Sequence, residues 1–199
     1  MSLREQYGEL AEEMLLSAHK FYSLRYQMSD GGNLSARIPG TALMLVKGTN
    51  MDFGSLTVEA LVVADFDGRL VEGSIAPSKE SRLHGAIYRA FPDVGSIMHC
   101  HSPWATAWAA RHEALEFSTH HARMKLGEHC PVIDTQSYAV KEEHFDRIIA
   151  MMRQYARMKA FLLRGHGQVA WGSNMREAAM TAELVEETAQ IARLSLENF

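Results

Sequence analysis

The chain has 199 residues, 47% hydrophobic and 22% charged, with a formal net charge of −4. That length holds one well-buried core and is short for two. The acidic balance gives no footing for nucleic acid, and no apolar run reaches the roughly 18 residues of a membrane span.

The N-terminus, Met1 to Gln6, enters a charged amphipathic segment rather than a signal-peptide core. Two cysteines, Cys100 and Cys130, suit a reduced cytoplasmic protein better than a disulfide scaffold. Residues 3 to about 27 read as a helix, with Leu3, Tyr7, Leu10, Met14, Ala18, Phe21 and Leu24 on its apolar side. Ser29-Asp30-Gly31-Gly32-Asn33 breaks it. Asn33 to Ile38 and Ala42 to Lys47 read as a hairpin, as do Leu61 to Asp65 and Arg69 to Val71 around Phe66-Asp67-Gly68. Leu56 to Ala60 fits one helical turn.

Ser78 is placed to cap a helix running to about Ala90, which Pro92-Asp93 ends. A short strand follows from about Ser96, then a helix opened by Ser102-Pro103. Residues 115–135 read as irregular, with a short strand from Pro131 to Asp134. Lys141 to Met158 reads as a helix, Ala160 to Arg164 and Gln168 to Trp171 as strands. Asn174 caps a last helix to about Leu196, with Glu177 placed as in a capping box. Hairpins with helices between them predict one α/β domain, a mixed or antiparallel sheet covered by helices.

The chemistry centres on Ile97-Met98-His99-Cys100-His101. Residues i and i+2 of a strand share a face, so both imidazoles can reach one metal ion while Cys100 points away. Such a pair alone is common on surface strands. His166, between Gly165 and Gly167 at a strand end, gives it weight. Three neutral imidazoles leave a coordination position open and suit a catalytic zinc, with manganese or cobalt as alternatives. Glu80, at a helix start, is either a first-turn carboxylate suited to the helix dipole or a fourth ligand and general base. His84, one turn later, reads as a packing residue. Three donor-rich turns hold candidate anion-binding residues: Gly32 and Asn33; Lys47, Thr49 and Asn50; Ser78 and Lys79. Together they suggest a small anionic, carbohydrate-like substrate.

From about Asp30 to Leu194 the chain resembles the class II aldolase/adducin family. The resemblance rests on Gly32-Asn33-Leu34-Ser35, Glu72-Gly73, Pro77-Ser78-Lys79-Glu80 with Leu83-His84 and Ile87-Tyr88, His99-x-His101-Ser102, and Gly165-His166-Gly167. It implies a three-layer α/β/α domain with a mainly antiparallel sheet, and a homotetramer with active sites at subunit contacts. It implies one divalent metal per subunit on His99, His101 and His166, usually zinc, and Glu80 as the catalytic acidic residue. Gly32-Asn33, Thr49-Asn50 and Ser78-Lys79 match turns that bind a substrate phosphate. The expected activity is an aldolase-type lyase acting on a ketose phosphate through an enediolate. Decarboxylase, epimerase and dehydratase are the alternatives within the family, and a non-catalytic adducin-head-like module is the alternative outside enzymes. Two positions depart from the pattern: Asn50 stands where glycine is usual, and Lys79 where a hydroxyl is common. Near Thr119-His120-His121-Ala122-Arg123 some members place a second proton-transfer group. His120 and His121 are the candidates here, and Arg123 with Lys79 speaks for the decarboxylase.

Overall fold

The structure, a computed structural model, describes residues 3–155 and 157–196. Helix α1 (Leu3–Ser23) leads into the hairpin of β1 (Asn33–Arg37) and β2 (Leu43–Lys47). A 3-10 turn (Val58–Ala60) precedes the hairpin of β3 (Leu61–Asp65) and β4 (Leu70–Glu72). Then come α2 (Ser81–Ala90), β5 (Ser96–Cys100), α3 (Pro103–Ala109), β6 (Ala114–Glu116), α4 (His120–Leu126) and β7 (His129–Ile133). A 3-10 turn (Glu142–His144), α5 (Phe145–Gln154), β8 (Ala160–Leu163), β9 (Gly167–Gly172) and α6 (Met175–Leu194) complete the chain.

The strands lie in one sheet in the order β4-β3-β2-β1-β5-β9-β8-β7-β6. Among the described residues β7–β8 is parallel and the other pairs are antiparallel. Alternation along the strands feeds two cores. On β5, Met98 and Cys100 join the core under α1, α3, α4 and α6, whereas Ile97 joins the core under α2 and α5. This is the three-layer α/β/α domain that the resemblance implies, with Cys100 turned away from His99 as expected.

Several local readings change. Helix α1 stops at Ser23, and Leu24 is exposed rather than apolar-facing. Backbone N–H groups of Tyr26 and Gln27 turn back onto Phe21 O, which brings Gln27 inside. Ser78 does not cap α2. Glu80 holds the N-cap position, and its carboxylate is used elsewhere. Residues 115–135 are ordered as β6, α4 and β7. The segment from Lys141 divides into a 3-10 turn and the shorter α5. Asn174 caps α6 by accepting from Glu177 N at 2.8 Å. The reciprocal half of the capping box is diverted, because the Glu177 carboxylate takes Ser173 N–H and the Lys159 ammonium.

Candidate metal centre and its pocket

Strands β1, β5 and β9 are neighbours, and the site forms where their ends meet the start of α2. His99 is on β5, paired with Val169 of β9 and Asn33 of β1. His101 lies just past β5, and His166 in the turn before β9. One nitrogen from each of these histidines falls within 4.8 Å of the others.

Backbone geometry explains the glycines. Gly165 adopts a positive φ of 63°, and a Cβ on Gly167 would lie 2.4 Å from Cys100 O, so only glycine lets β9 close against His101. A Cβ on Gly32, itself at φ 62°, would meet His99 O at 2.8 Å and Gln27 Oε1 at 2.4 Å. Asn50 takes φ 58°, the left-handed region that asparagine tolerates next best after glycine, which accounts for its presence at that turn.

The donor set fits a cation. His99 Nδ1 is 2.8 Å from Gln168 O, which can only accept, so Nδ1 carries the proton and Nε2 is bare in the neutral ring. That bare nitrogen lies 3.1 Å from His101 Nε2 and 3.1 Å from Glu80 Oε2. Lone pairs at such distances repel unless a cation or proton stands between them. His166 Nδ1 is buried and, among the described residues, has no hydrogen-bond partner. Burial, reinforced by the neighbouring histidines and opposed by Glu80, lowers His101 to about 3. Burial and His99, again opposed by Glu80, lower His166 to about 4. Both rings are therefore neutral and ready to ligate at ordinary pH.

Glu80 is 7% exposed. Burial alone would raise its carboxyl, but His99, His166, His84 and the Asn33 amide outweigh it, and the group is held below its ordinary range. Its oxygens accept from Asn33 Nδ2 at 3.0 Å and Val140 N at 3.4 Å. A carboxylate anchored by side-chain and backbone donors, rather than by its own helix, is free to face the histidines.

These groups open onto a pocket of about 280 Å³. All seven residues read from the sequence as anion-binding line it, together with Glu80, His101 and His166, while His99 sits behind at 1% exposure. Lys47 is buried, donating to the carbonyls of Asp30 and Met51, and burial lowers it to about 8. Lys79 stands exposed at the rim. The structure does not bring His120 or His121 to this pocket. Helix α4 hangs from the far edge of the sheet on the α6 face, and His121 borders a different depression with Met180 and Leu184. Arg123 donates from Nε to Phe117 O and does not line this pocket.

Sequence reasoning missed three contributors. Gln27 Oε1 accepts from His101 N at 2.8 Å, fixing the turn after β5. Gln168 orients His99 through its carbonyl and ties Ser102 to α6 with its side chain. Tyr138 lines the pocket mouth. An aromatic residue in the otherwise polar stretch Thr135-Gln136-Ser137-Tyr138 was the available signal for it.

The model of the Class II Aldolase and Adducin N-terminal domain matches residues 12–193. The chain belongs to this family. A 3-oxo-tetronate 4-phosphate decarboxylase from Haemophilus influenzae is 34% identical over 187 residues, covering 90% of this chain and 85% of that protein. An L-ribulose-5-phosphate 4-epimerase from Salmonella paratyphi C is 29% identical over 168 residues, covering 81% and 74%. Among solved structures, an L-fuculose 1-phosphate aldolase superposes with a TM-score of 0.83 at 27% identity, over 94% of this chain and 86% of that one. As a class II aldolase-family domain, the chain carries a three-histidine group able to hold a divalent metal ion.

Proposed function

We propose that this chain is a divalent-metal-dependent lyase that breaks the carbon–carbon bond beside a keto group in a small phosphorylated substrate, and that its reaction is decarboxylation of a phosphorylated 3-keto sugar acid. One observation carries the reading: the histidine centre, Glu80 and the three donor-rich turns face one pocket. A pocket of that volume suits a molecule of a few carbons with an anionic end.

His99, His101 and His166 would hold the metal, with Glu80 as a fourth ligand, and three neutral imidazoles favour zinc over manganese or cobalt. When bound, the ion supplies Lewis-acid stabilisation of negative charge developing on a keto oxygen. Glu80, ionised at rest, would take a proton from solvent and deliver it to the carbon that carbon dioxide has left. Gly32, Asn33, Thr49, Asn50 and Ser78 offer hydrogen-bond donors to the phosphate, and Lys47 and Lys79 offer charge.

The names of the relatives converge chemically. Loss of carbon dioxide from 3-oxo-tetronate 4-phosphate and aldol cleavage of fuculose 1-phosphate leave the same fragment, the enediolate of dihydroxyacetone phosphate. In both, the bonding pair stays with the carbon beside the ketone; carbon dioxide departs in the first, and in the second an aldehyde departs after its hydroxyl gives up a proton. Decarboxylation is preferred because the 34%-identical relative bears that name. Aldol cleavage is the second reading, supported by the likeness to the fuculose-phosphate aldolase.

We further propose a homotetramer whose subunit contacts complete the sites, placing His120 or His121 against a neighbour's pocket. The exposed Leu16, Met28, Met124 and Met180 support an assembly. Buried free thiols at Cys100 and Cys130 are in keeping with a cytoplasmic enzyme.

The test is to incubate metal-loaded protein with 3-keto acid phosphates, ketose 1-phosphates and pentulose 5-phosphates and to follow products by NMR. Carbon dioxide released from a keto acid phosphate is the expected result. Dihydroxyacetone phosphate formed from a ketose 1-phosphate, with no action on the keto acids, moves the assignment to aldol cleavage. No turnover of any of them removes both.

A further inference from the structure

The segment 134–141, between β7 and the 3-10 turn, is pinned at both ends. Asp134 Oδ1 accepts from Gln136 N at 2.9 Å, and its other oxygen lies 3.4 Å from the Arg164 guanidinium, next to the Gly165-His166 turn. Gln136 holds a left-handed φ of 48°. Thr135 and Val140 are buried, and Val140 N reaches Glu80 Oε1. Between these anchors Tyr138 is 83% exposed. An apolar ring presented to solvent by a loop tied down on either side is held there by the fold.

What that ring touches is Lys79. The Lys79 Nζ lies 5.8 Å from the Tyr138 ring centroid. The two lysines of the pocket are thus fixed by different means. Lys47 is buried and held by two backbone carbonyls. Lys79 is exposed, and among the described residues no carboxylate pairs with it. A free lysine side chain loses about 2 kcal/mol of rotamer freedom when an anion orders it, so a ring that already confines the ammonium lowers that cost. The loop contacts are also in register: Tyr138 meets Lys79, and Val140 meets Glu80, the adjacent residue.

We propose that Tyr138 is a positioning residue for substrate specificity, acting through Lys79. Its ring holds the ammonium at the pocket mouth, where it meets the anionic end of the substrate. The face of the ring supplies this role and the hydroxyl does not. The inference rests on the reading of Ser78-Lys79 as part of the anion subsite.

Inorganic phosphate is the probe, titrated calorimetrically into the metal-loaded protein and into Lys79→Met, Tyr138→Ala, Tyr138→Phe and the Lys79→Met/Tyr138→Ala double variant. Tyr138→Ala should weaken phosphate binding about two- to five-fold, the scale of an exposed cation–π contact. Tyr138→Phe should bind as the parent does, and Tyr138→Ala should add nothing once Lys79 is methionine. Loss in Tyr138→Phe equal to that in Tyr138→Ala, an undiminished effect in the Lys79→Met background, or no effect of Tyr138→Ala overturns the inference alone. Unchanged phosphate affinity in Lys79→Met overturns the anion-subsite reading and the inference with it.

Discussion

Asn33 Nδ2 donates a 3.0 Å hydrogen bond to Glu80 Oε2, joining the first residue of β1 to the N-cap of α2. It is one rung of a ladder. Ser35 Oγ meets His84 Nδ1 at 2.8 Å, and Arg37 donates to the carbonyls of Tyr88 and Phe91. Two residues of strand advance about 6.7 Å and four of helix about 6 Å, so alternate β1 residues meet successive turns of α2. The ladder sets where the Glu80 carboxylate stands relative to the histidines.

Asn33→Ala removes that donor while leaving the helix start in place. A lost bond to a buried carboxylate should cost about 1.5–3 kcal/mol. Thermal unfolding should register it, and turnover should fall more than metal content does. Equal loss of metal and turnover would show that Asn33 serves the metal rather than Glu80.

Glu80→Gln keeps the size of the side chain and removes its capacity to take up and deliver a proton. The variant should retain most of its metal, while turnover drops by ~10²-fold or more. Parallel metal analysis and steady-state assay check both halves. Normal turnover would take Glu80 out of the chemistry.

His84 is fully buried between Glu80, His99, Ser35 and Tyr88, and burial lowers it to about 3, with Glu80 opposing. The unfolded chain, with an ordinary value near 6.5, takes up a proton that native His84 refuses. Stability should therefore fall as pH drops from about 6.5 toward 3, by up to about 1.4 kcal/mol per unit from this group, and be level above that window. Urea midpoints of the metal-free protein across pH 5 to 8 read the slope. In His84→Asn the slope should be shallower, and an unchanged slope would discharge His84 from it.

Gly167→Ala places a methyl group 2.4 Å from Cys100 O, a backbone atom that cannot swing aside. Overpacking of this kind costs about 1–3 kcal/mol. The strain falls between β5 and β9, so metal affinity should weaken along with the melting temperature. A variant with parental metal affinity would mean that the turn carrying His166 relaxes independently of β9.

Much of this was legible because it is local. Period-two strands, hairpin turns and the Gly165-His166-Gly167 signature all announce themselves within a few residues, and a sheet covered by helices follows from their order, while the three-layer α/β/α arrangement is what the family resemblance implies. What stayed hidden depends on distant partners. Ser102 holds the N-cap position of α3, yet its hydroxyl accepts from Gln168, and Glu186 of α6 takes the Trp104 and Ala105 N–H groups instead. Gln27 and Tyr138 reach the site from loops, where periodicity has nothing to report. β6 and α4 are too short, at 3 and 7 residues, for a pattern to emerge. His120 and His121 looked close to the chemistry in sequence, and the edge position of α4 carries them away from their own pocket.

His99, His101 and His166 are expected to hold a divalent ion on which turnover depends. Metal stoichiometry of the purified protein, measured beside His166→Ala, tests this most directly. One divalent ion per chain in the parent, and little or none in the variant, is the predicted result. A parent without stoichiometric metal, or a variant that retains a full equivalent, would leave these histidines without that role.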